Sequence, residues 1–409
     1  MNVAEHQAHP EHQASSQREV DFLAIVADEA SASVINNLIL DQHISHAQAR
    51  VGTFNETIAL IEKMEHPPRQ LIVDVSDSAM PLSDLTRLAQ VCDPSVAVIA
   101  IGKQNDVGLF RNLLRIGVQD YVVKPLTADL LRRSLTANEP VMQVRMGKVL
   151  GLAGARGGVG VTTIGVALAR RLAGERRRVV YLDLNLHGGS ACSQLDLPSN
   201  NGLIELLEFD ARPEPQSVER MLVSKGGRLA ILSGEHPYGS EVPIRTGAVA
   251  EIIDTLKRHF HYVLVDVPAR AGRLTDEALH AANHVYLVAD RSVHGAHECA
   301  RLVRFVQELP GERSVSVLLN NPLEPVAGRV SASDFGDAFG RLVACELPYD
   351  PKALAFAENL GEPVNRGRQH SGFRGAIDAL VREMTGAQHT AKTTQPWYAS
   401  LLKKPGRSA

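Results

Sequence analysis

Short apolar runs, each separated by an amphipathic stretch, recur in two series along the chain. The first series is FLAIVA (22–27), ARV (49–51), LIVDV (71–75), VAVIAI (96–101) and YVV (121–123). Runs of this length and continuity mark strands buried on both faces, as in a parallel sheet. They predict a five-stranded, doubly wound α/β unit over residues 19–137. The second series begins with KVLGLAG (148–154) and continues through VVYLD (179–183), LAIL (229–232), YVLVDV (262–267), VYLVA (285–289), VSVLLN (315–320) and VACELP (343–348). It predicts a larger, mostly parallel sheet over 148–385, with helices on both faces. Between two of these strands, TTIGVALARRLA (162–173) predicts a helix that Gly174 stops.

The segments outside the two series lack apolar side chains. Residues 1–18 are rich in His, Gln, Ser and Glu and are expected as a solvated tail, with His6, His9 and His12 on no scaffold that would fix them as metal ligands. Residues 138–147, with Pro140, are expected as a linker, and 386–409 as a second tail. Within that tail WYASLLKK (397–404) is short for an amphipathic membrane helix and is expected to be loose or to bind a partner.

Composition narrows the function classes. With 409 residues, 44% hydrophobic and 22% charged, the chain is globular and long enough for two cores. Its formal net charge of -3 supplies no general attraction to nucleic acid or to an acidic membrane. The cysteines Cys92, Cys192, Cys299 and Cys345 form no CxxC pair, which argues against a zinc cage or a disulfide framework and for a cytoplasmic setting. No run reaches the 18 apolar residues of a membrane span, so membrane contact is expected to be peripheral or through a partner, at the inner face or a pole. ERRRVV (175–180) is expected to cap a helix end and solvate the following turn. His294 and His297 are expected on a helix surface.

The stretch with most chemical content is GLAGARGGVGVTT (151–163), a strand, a glycine-rich turn and a helix in that order. Gly157, Gly158 and Gly160 let the backbone around Val159 curl with its N–H groups inward, and the helix from Val161 adds its positive dipole end. Thr162, followed by Thr163, places a hydroxyl for magnesium. The loop resembles the deviant phosphate loop of the ParA/MinD family, KGGxGKT, with Arg156 at the signature lysine that reaches across related dimers, and Val161 at the second lysine. Arginine can still grip phosphate in bidentate fashion, whereas valine cannot. Loss of one charge-assisted hydrogen bond costs roughly 1.5–3 kcal/mol. The expected ligand is therefore ATP or ADP with Mg, bound weakly and hydrolysed slowly or not at all.

Two further segments carry the same resemblance. VVYLDLNLHGG (179–189) matches the family's DxD strand end as Asp183, Leu184, Asn185, and YVLVDVPAR (262–270) matches a Walker B strand with Asp266 placed to hold a magnesium-bound water. Asp183 and Asp266 are the candidate catalytic carboxylates. Asn320, with Asn321, stands where the family reads the nucleotide base. CELPYDPKALAFAENLGEPV (345–364), together with an RGGVG-type loop, resembles the TadZ/CpaE pilus-assembly family. That resemblance implies a homodimeric assembly or localisation factor of a Flp/Tad-type pilus, partnered with other parts of the machine including its secretion ATPase.

The first unit resembles a response-regulator receiver of flavodoxin-like fold. Asp74 stands at the phosphoacceptor position, Asp28 with Glu29 at the magnesium acids, and Lys124 before Pro125 in DYVVKPL (120–126). Phosphotransfer needs a nucleophile, a metal pocket, a lysine and a hydroxyl that follows the phosphate. The hydroxyl position is Gly102, and Ala27 precedes Asp28, so a docking or dimerisation role is expected ahead of phosphorylation. An active positioning ATPase and a response regulator acting through Asp74 stand as the alternatives.

Overall fold

The computed structural model describes residues 20–64, 67–136, 146–208, 213–224, 228–239, 243–269, 271–321, 328–351, 355 and 372–385. The expectations for the two tails, for most of the linker and for the helix after Pro351 with its Asn-x-Gly lie outside these residues.

The first unit has strands β1 (Phe22–Val26), β2 (Ala47–Val51), β3 (Gln70–Asp74), β4 (Ala97–Gly102) and β5 (Asp120–Val123). They form one parallel sheet in the order β2-β1-β3-β4-β5. Strand alternation feeds two cores: Leu23 and Ile25 of β1 enter one, and Phe22, Ala24 and Val26 the other. The helices that cover the sheet are well delimited by their sequence. Thr53 and Glu56 form a reciprocal capping box at the start of Phe54–Lys63, and Asp28 caps Glu29–Asp41 by accepting from the Ser31 amide at 2.7 Å.

The second unit has β6 (Lys148–Gly154), β7 (Val179–Asp183), β8 (Val223–Ser224), β9 (Leu229–Leu232), β10 (Tyr262–Val267), β11 (His284–Ala289), β12 (Ser314–Asn320) and β13 (Val343–Leu347). The sheet order is β13-β12-β11-β6-β10-β7-β9-β8, with β8 antiparallel and the rest parallel. The two-residue β8 carries too little pattern to be read from sequence. The helix after β6 runs from Val161 to Gly174, so Gly174 is its last residue and not its stop. The chain turns instead at Arg176, whose φ is +61°. β6 lies at the centre of the sheet, between β10 and β11, where the connections diverge. A crevice outside the strand carboxyl ends is expected at such a point.

The two units meet amino edge to amino edge. Arg178, just before β7, donates to Asp93 at 3.1 Å, and Asp93 is 4% exposed between the helix Pro81–Val91 and β4. The guanidinium of Arg178 also lies 5.0 Å from the Phe260 ring centroid. His261, just before β10, accepts from the Arg178 amide through Nδ1 and donates from Nε2 to the Cys92 carbonyl, each at 3.0 Å. Burial and then the neighbouring Arg177 charge depress its pKa to about 4, in keeping with this neutral tautomer. Arg176 pairs with Glu62 at 2.9 Å, and Arg228 reaches the Glu62 and Met64 carbonyls. The basic cluster 175–180 thus joins the two units, where sequence reading assigned it to helix capping and solvation.

Candidate functional site

The phosphate loop leaves β6 at the carboxyl edge of the second sheet. Gly158 and Gly160 adopt φ of +77° and +93°, which glycine reaches without strain. A Cβ at Gly157 or Gly158 would meet nothing within 4 Å, so the loop borders open space, whereas one at Gly160 would lie 2.7 Å from Asn320 Nδ2. Gly160 caps the helix with no side-chain acceptor, which leaves the first-turn amides of Val161, Thr162 and Thr163 to a ligand.

Around that loop the structure brings together most of the residues singled out in the sequence. Thr162 Oγ1 donates to Asp266 Oδ2 at 2.6 Å, and Tyr181 Oη donates to the same oxygen at 2.8 Å. Asp183 is the cross-strand neighbour of Asp266 in register and accepts from the Asn185 amide at 3.0 Å and from its side chain at 3.3 Å. Both carboxylates are almost fully buried. Burial raises the pKa of each, and the charge of Asp183 raises Asp266 further. A hydroxyl beside two carboxylates is a hard-oxygen donor set that fits magnesium, which would take its remaining ligands from phosphate and water. No group of three or more His, Cys, Asp or Glu forms a metal cluster among the described residues.

The cationic side of the site differs from a lysine-bearing loop. Val161 packs on the core, its Cγ2 lying 2.9 Å from where a Gly154 side chain would begin. Arg156 is turned onto Asp290, with Nη2 on Oδ2 and Nε on Oδ1 at 3.3 Å, and its Nη1 donates to the Gly157 carbonyl at 3.1 Å. Asp290, 4% exposed at the end of β11, also accepts from Ser292 Oγ at 2.7 Å. Asn320 donates to the Val159 carbonyl at 2.7 Å, which places its amide nitrogen under the loop. Asn321 donates to Glu346 Oε1 and to the Leu347 carbonyl, each at 3.0 Å.

Asp290 and Tyr181 are the site residues that the motif search missed. Asp290 follows an apolar strand just as Asp183 and Asp266 end theirs, and that shared pattern was a usable signal. Tyr181 offered none, because one aromatic in a buried strand is ordinary. It reaches Asp266 because Gly165 leaves the space: a Cβ there would lie 2.6 Å from the Tyr181 hydroxyl.

At the carboxyl edge of the first sheet, Lys124 Nζ donates to both Asp28 and Asp74. Asp74, 7% exposed, also accepts from the amides of Ala27 and Ser76 at 2.9 Å. Lys124 and then the Ser31 amide hold Asp28 down to about 2. Burial works to raise Asp74, but the hydrogen bonds from Lys124 and Ser76 outweigh it and lower the pKa. Glu29 is exposed in the first turn of its helix. At Gly102 a Cβ would lie 2.2 Å from Tyr121 Oη, because the Tyr121 ring crosses that position and its hydroxyl donates to the Gln104 carbonyl at 2.9 Å. A cavity of about 460 Å³ opens beside Asp74, lined also by Thr53, Phe54, Asp77, Asp84 and Arg87.

Comparison with known proteins bears on the second unit first. Residues 147–317 match the family described as AAA domain. The chain is 26% identical over 223 residues to the antiactivator FleN of Pseudomonas aeruginosa, covering 54% of this chain and 78% of FleN. It is 32% identical over 122 residues to a Halalkalibacterium halodurans protein named as a probable C4-dicarboxylate response regulator, DctR, covering 29% of this chain and 51% of that one. The fold matches the septum site-determining protein MinD complexed with Mg-ADP from Pyrococcus horikoshii OT3, with a TM-score of 0.52 and 19% identity over 58% of this chain and 96% of that one. A central strand, a glycine cradle at a helix start and two strand-end carboxylates on the same edge agree with these likenesses: the second unit has the fold of the ParA/MinD-type P-loop domains.

Proposed function

We propose that this protein is a nucleotide-responsive scaffold that assembles or positions a Flp/Tad-type pilus or related secretion machine, with weak or absent ATP hydrolysis. The reading is carried by one observation: the backbone cradle and the Thr162–Asp266 pair are intact, while at the two positions where related loops carry lysine Val161 is packed inward and Arg156 is engaged by Asp290 and the Gly157 carbonyl. Backbone amides and a helix dipole can hold polyphosphate, and the two carboxylates with Thr162 would hold its magnesium. Bound magnesium would supply the charge that the loop lacks. Phosphoryl transfer depends on neutralising charge as the γ-phosphoryl leaves, and here Val161 at the second lysine position provides none. The chain's likeness to FleN and MinD supports a regulatory positioning role, and the RGGVG loop with the Pro-Tyr-Asp-Pro-Lys turn supports the pilus assignment.

In this reading nucleotide drives face-to-face pairing of two chains, and the first unit docks the other components of the machine, among them its secretion ATPase. Calorimetric titration with Mg-ATP, followed by mass measurement of the complex, tests it. Binding with pairing and negligible turnover is expected, and Val161→Lys is expected to bring turnover. Brisk turnover in the unsubstituted protein would replace the scaffold with an active positioning ATPase, and no binding at millimolar nucleotide would remove both.

A second reading has its own support in the Asp28–Asp74–Lys124 cluster and the likeness to a response regulator. It makes Asp74 a phosphoacceptor. Labelling by a small phosphodonor that Asp74→Asn abolishes would establish it, while an unlabelled protein leaves the first unit as a docking module.

A further inference from the structure

We infer that a nucleotide-loaded pair of these chains is a two-ended bridge, with the Asp74-bearing edges of its two first units facing outward at opposite ends. The inference rests on the pairing and docking proposed above and adds the geometry that they leave open.

The geometry follows from strand polarity. Every strand of the first sheet is parallel, so Asp28, Asp74 and Lys124 share the carboxyl edge, while Glu62, Cys92 and Asp93 lie at the amino edge. In the second sheet Arg178 and His261 stand immediately before β7 and β10, and Asp183 and Asp266 stand on those strands near their other ends. The seam therefore joins the two amino edges and leaves the Asp74 cluster and the phosphate loop at opposite ends of the chain. Two five-residue strands, such as β1 and β7, lie between them, and at about 3.3 Å per residue they place roughly 33 Å of strand between the two ends.

The seam also governs which surfaces remain for pairing. The amino edge of the second sheet is covered at its β7, β9 and β10 end by the first unit through Arg178, Arg228 and His261. The contact buries Asp93 and fixes the His261 tautomer, so it has one specific arrangement and not a sliding surface. Pairing through the phosphate-loop face keeps the two seams apart and carries the first units outward. The pair then offers two copies of the Asp74 edge at a wide separation. A partner that repeats its own docking site is held at both ends, and avidity exceeds the affinity of one edge where the spacing fits. Nucleotide would thereby control valence.

Energy transfer between full-length chains separates this arrangement from one in which the first units pair with each other. Tyr238, 83% exposed and stacked on His187 beside Gly188, marks the phosphate-loop edge, and Asp77 marks the outer edge. Donor- and acceptor-labelled Tyr238→Cys chains are mixed in Mg-ATP, and Asp77→Cys chains likewise, with the unsubstituted protein labelled as a blank. High transfer at Tyr238 and low transfer at Asp77, corresponding to more than about 60 Å, is the expected result. A dimer mass with high transfer at Asp77 overturns the bridge and leaves the scaffold reading standing. A monomer mass with no transfer at either position overturns the pairing and the bridge with it.

Discussion

Asp266 shows how a buried strand-end acid is tuned by its neighbours. It receives two hydroxyl hydrogen bonds, from Thr162 and Tyr181, but it lies beside Asp183 and is 1% exposed. Its pKa is raised in the folded protein, so the native state binds a proton that the unfolded chain releases. Stability from this group is therefore fully present below the ordinary carboxylate pKa and is lost as pH rises through the folded value of about 7. Asp266→Asn removes that loss. The substitution is expected to stabilise the ligand-free protein by up to about 4 kcal/mol at pH 8 and by far less at pH 4, in denaturant melts at the two pH values. A variant equally stable or less stable at pH 8 would show that the carboxylate is not strained. The same substitution is expected to abolish magnesium-dependent nucleotide binding, since the metal needs the ionised oxygen. Asp183, Asp266 and Thr162 were legible in the sequence because each has a fixed offset from a strand end or a glycine turn. Tyr181 and Asp290 were not, because their roles come from cross-strand and loop contacts that no local spacing encodes.

Among the elements, β4 and β5 of the first unit determine what can stand at Gly102, the position that the resemblance to a receiver assigns to a hydroxyl. Sequence reading placed a glycine there and concluded that the switch is absent. In the structure Tyr121 of β5 lies across Gly102 of β4 and is anchored to the Gln104 carbonyl. Gly102→Thr would drive the new side chain into the ring, and Tyr121 would have to leave its hydrogen bond. A loss of about 1–3 kcal/mol in thermal unfolding is expected, with part of it recovered when Tyr121→Ala is added. An unchanged melting temperature would mean that the ring moves aside freely. The strands themselves were read closely, because buried parallel strands carry an uninterrupted apolar signal. The end of the helix Val161–Gly174 was not, since Arg176 accepts a left-handed turn that glycine was expected to supply.

For the whole molecule, the seam makes two separable folds into one body. Arg178→Ala leaves Asp93 buried without its cation, an arrangement that costs about 3–5 kcal/mol when a buried pair is broken. Because Arg178 is 30% exposed at its side chain, the lower end is expected at pH 7. Burial already raises the Asp93 pKa, so the penalty is expected to shrink as pH falls and the carboxyl takes up a proton. Asp93→Asn in the same chain is expected to recover most of the loss. Differential scanning calorimetry checks this, with the single substitution splitting one transition into two; a single unshifted transition would mean that the units do not stabilise each other.

The sequence by itself determined what local pattern can encode: two α/β units, their strands, the glycine cradle with its missing lysine, and the carboxylates at strand ends. Each of these is a property of residues close together in the chain, and side-chain size, charge and backbone freedom are enough to read it. Only the tertiary structure decided how Arg156 is engaged, what Asn320 supports, why Gly102 must be small, and that ERRRVV joins the units. Those outcomes depend on atoms brought together from positions tens to hundreds of residues apart, where geometry decides which carboxylate or carbonyl a guanidinium or amide meets.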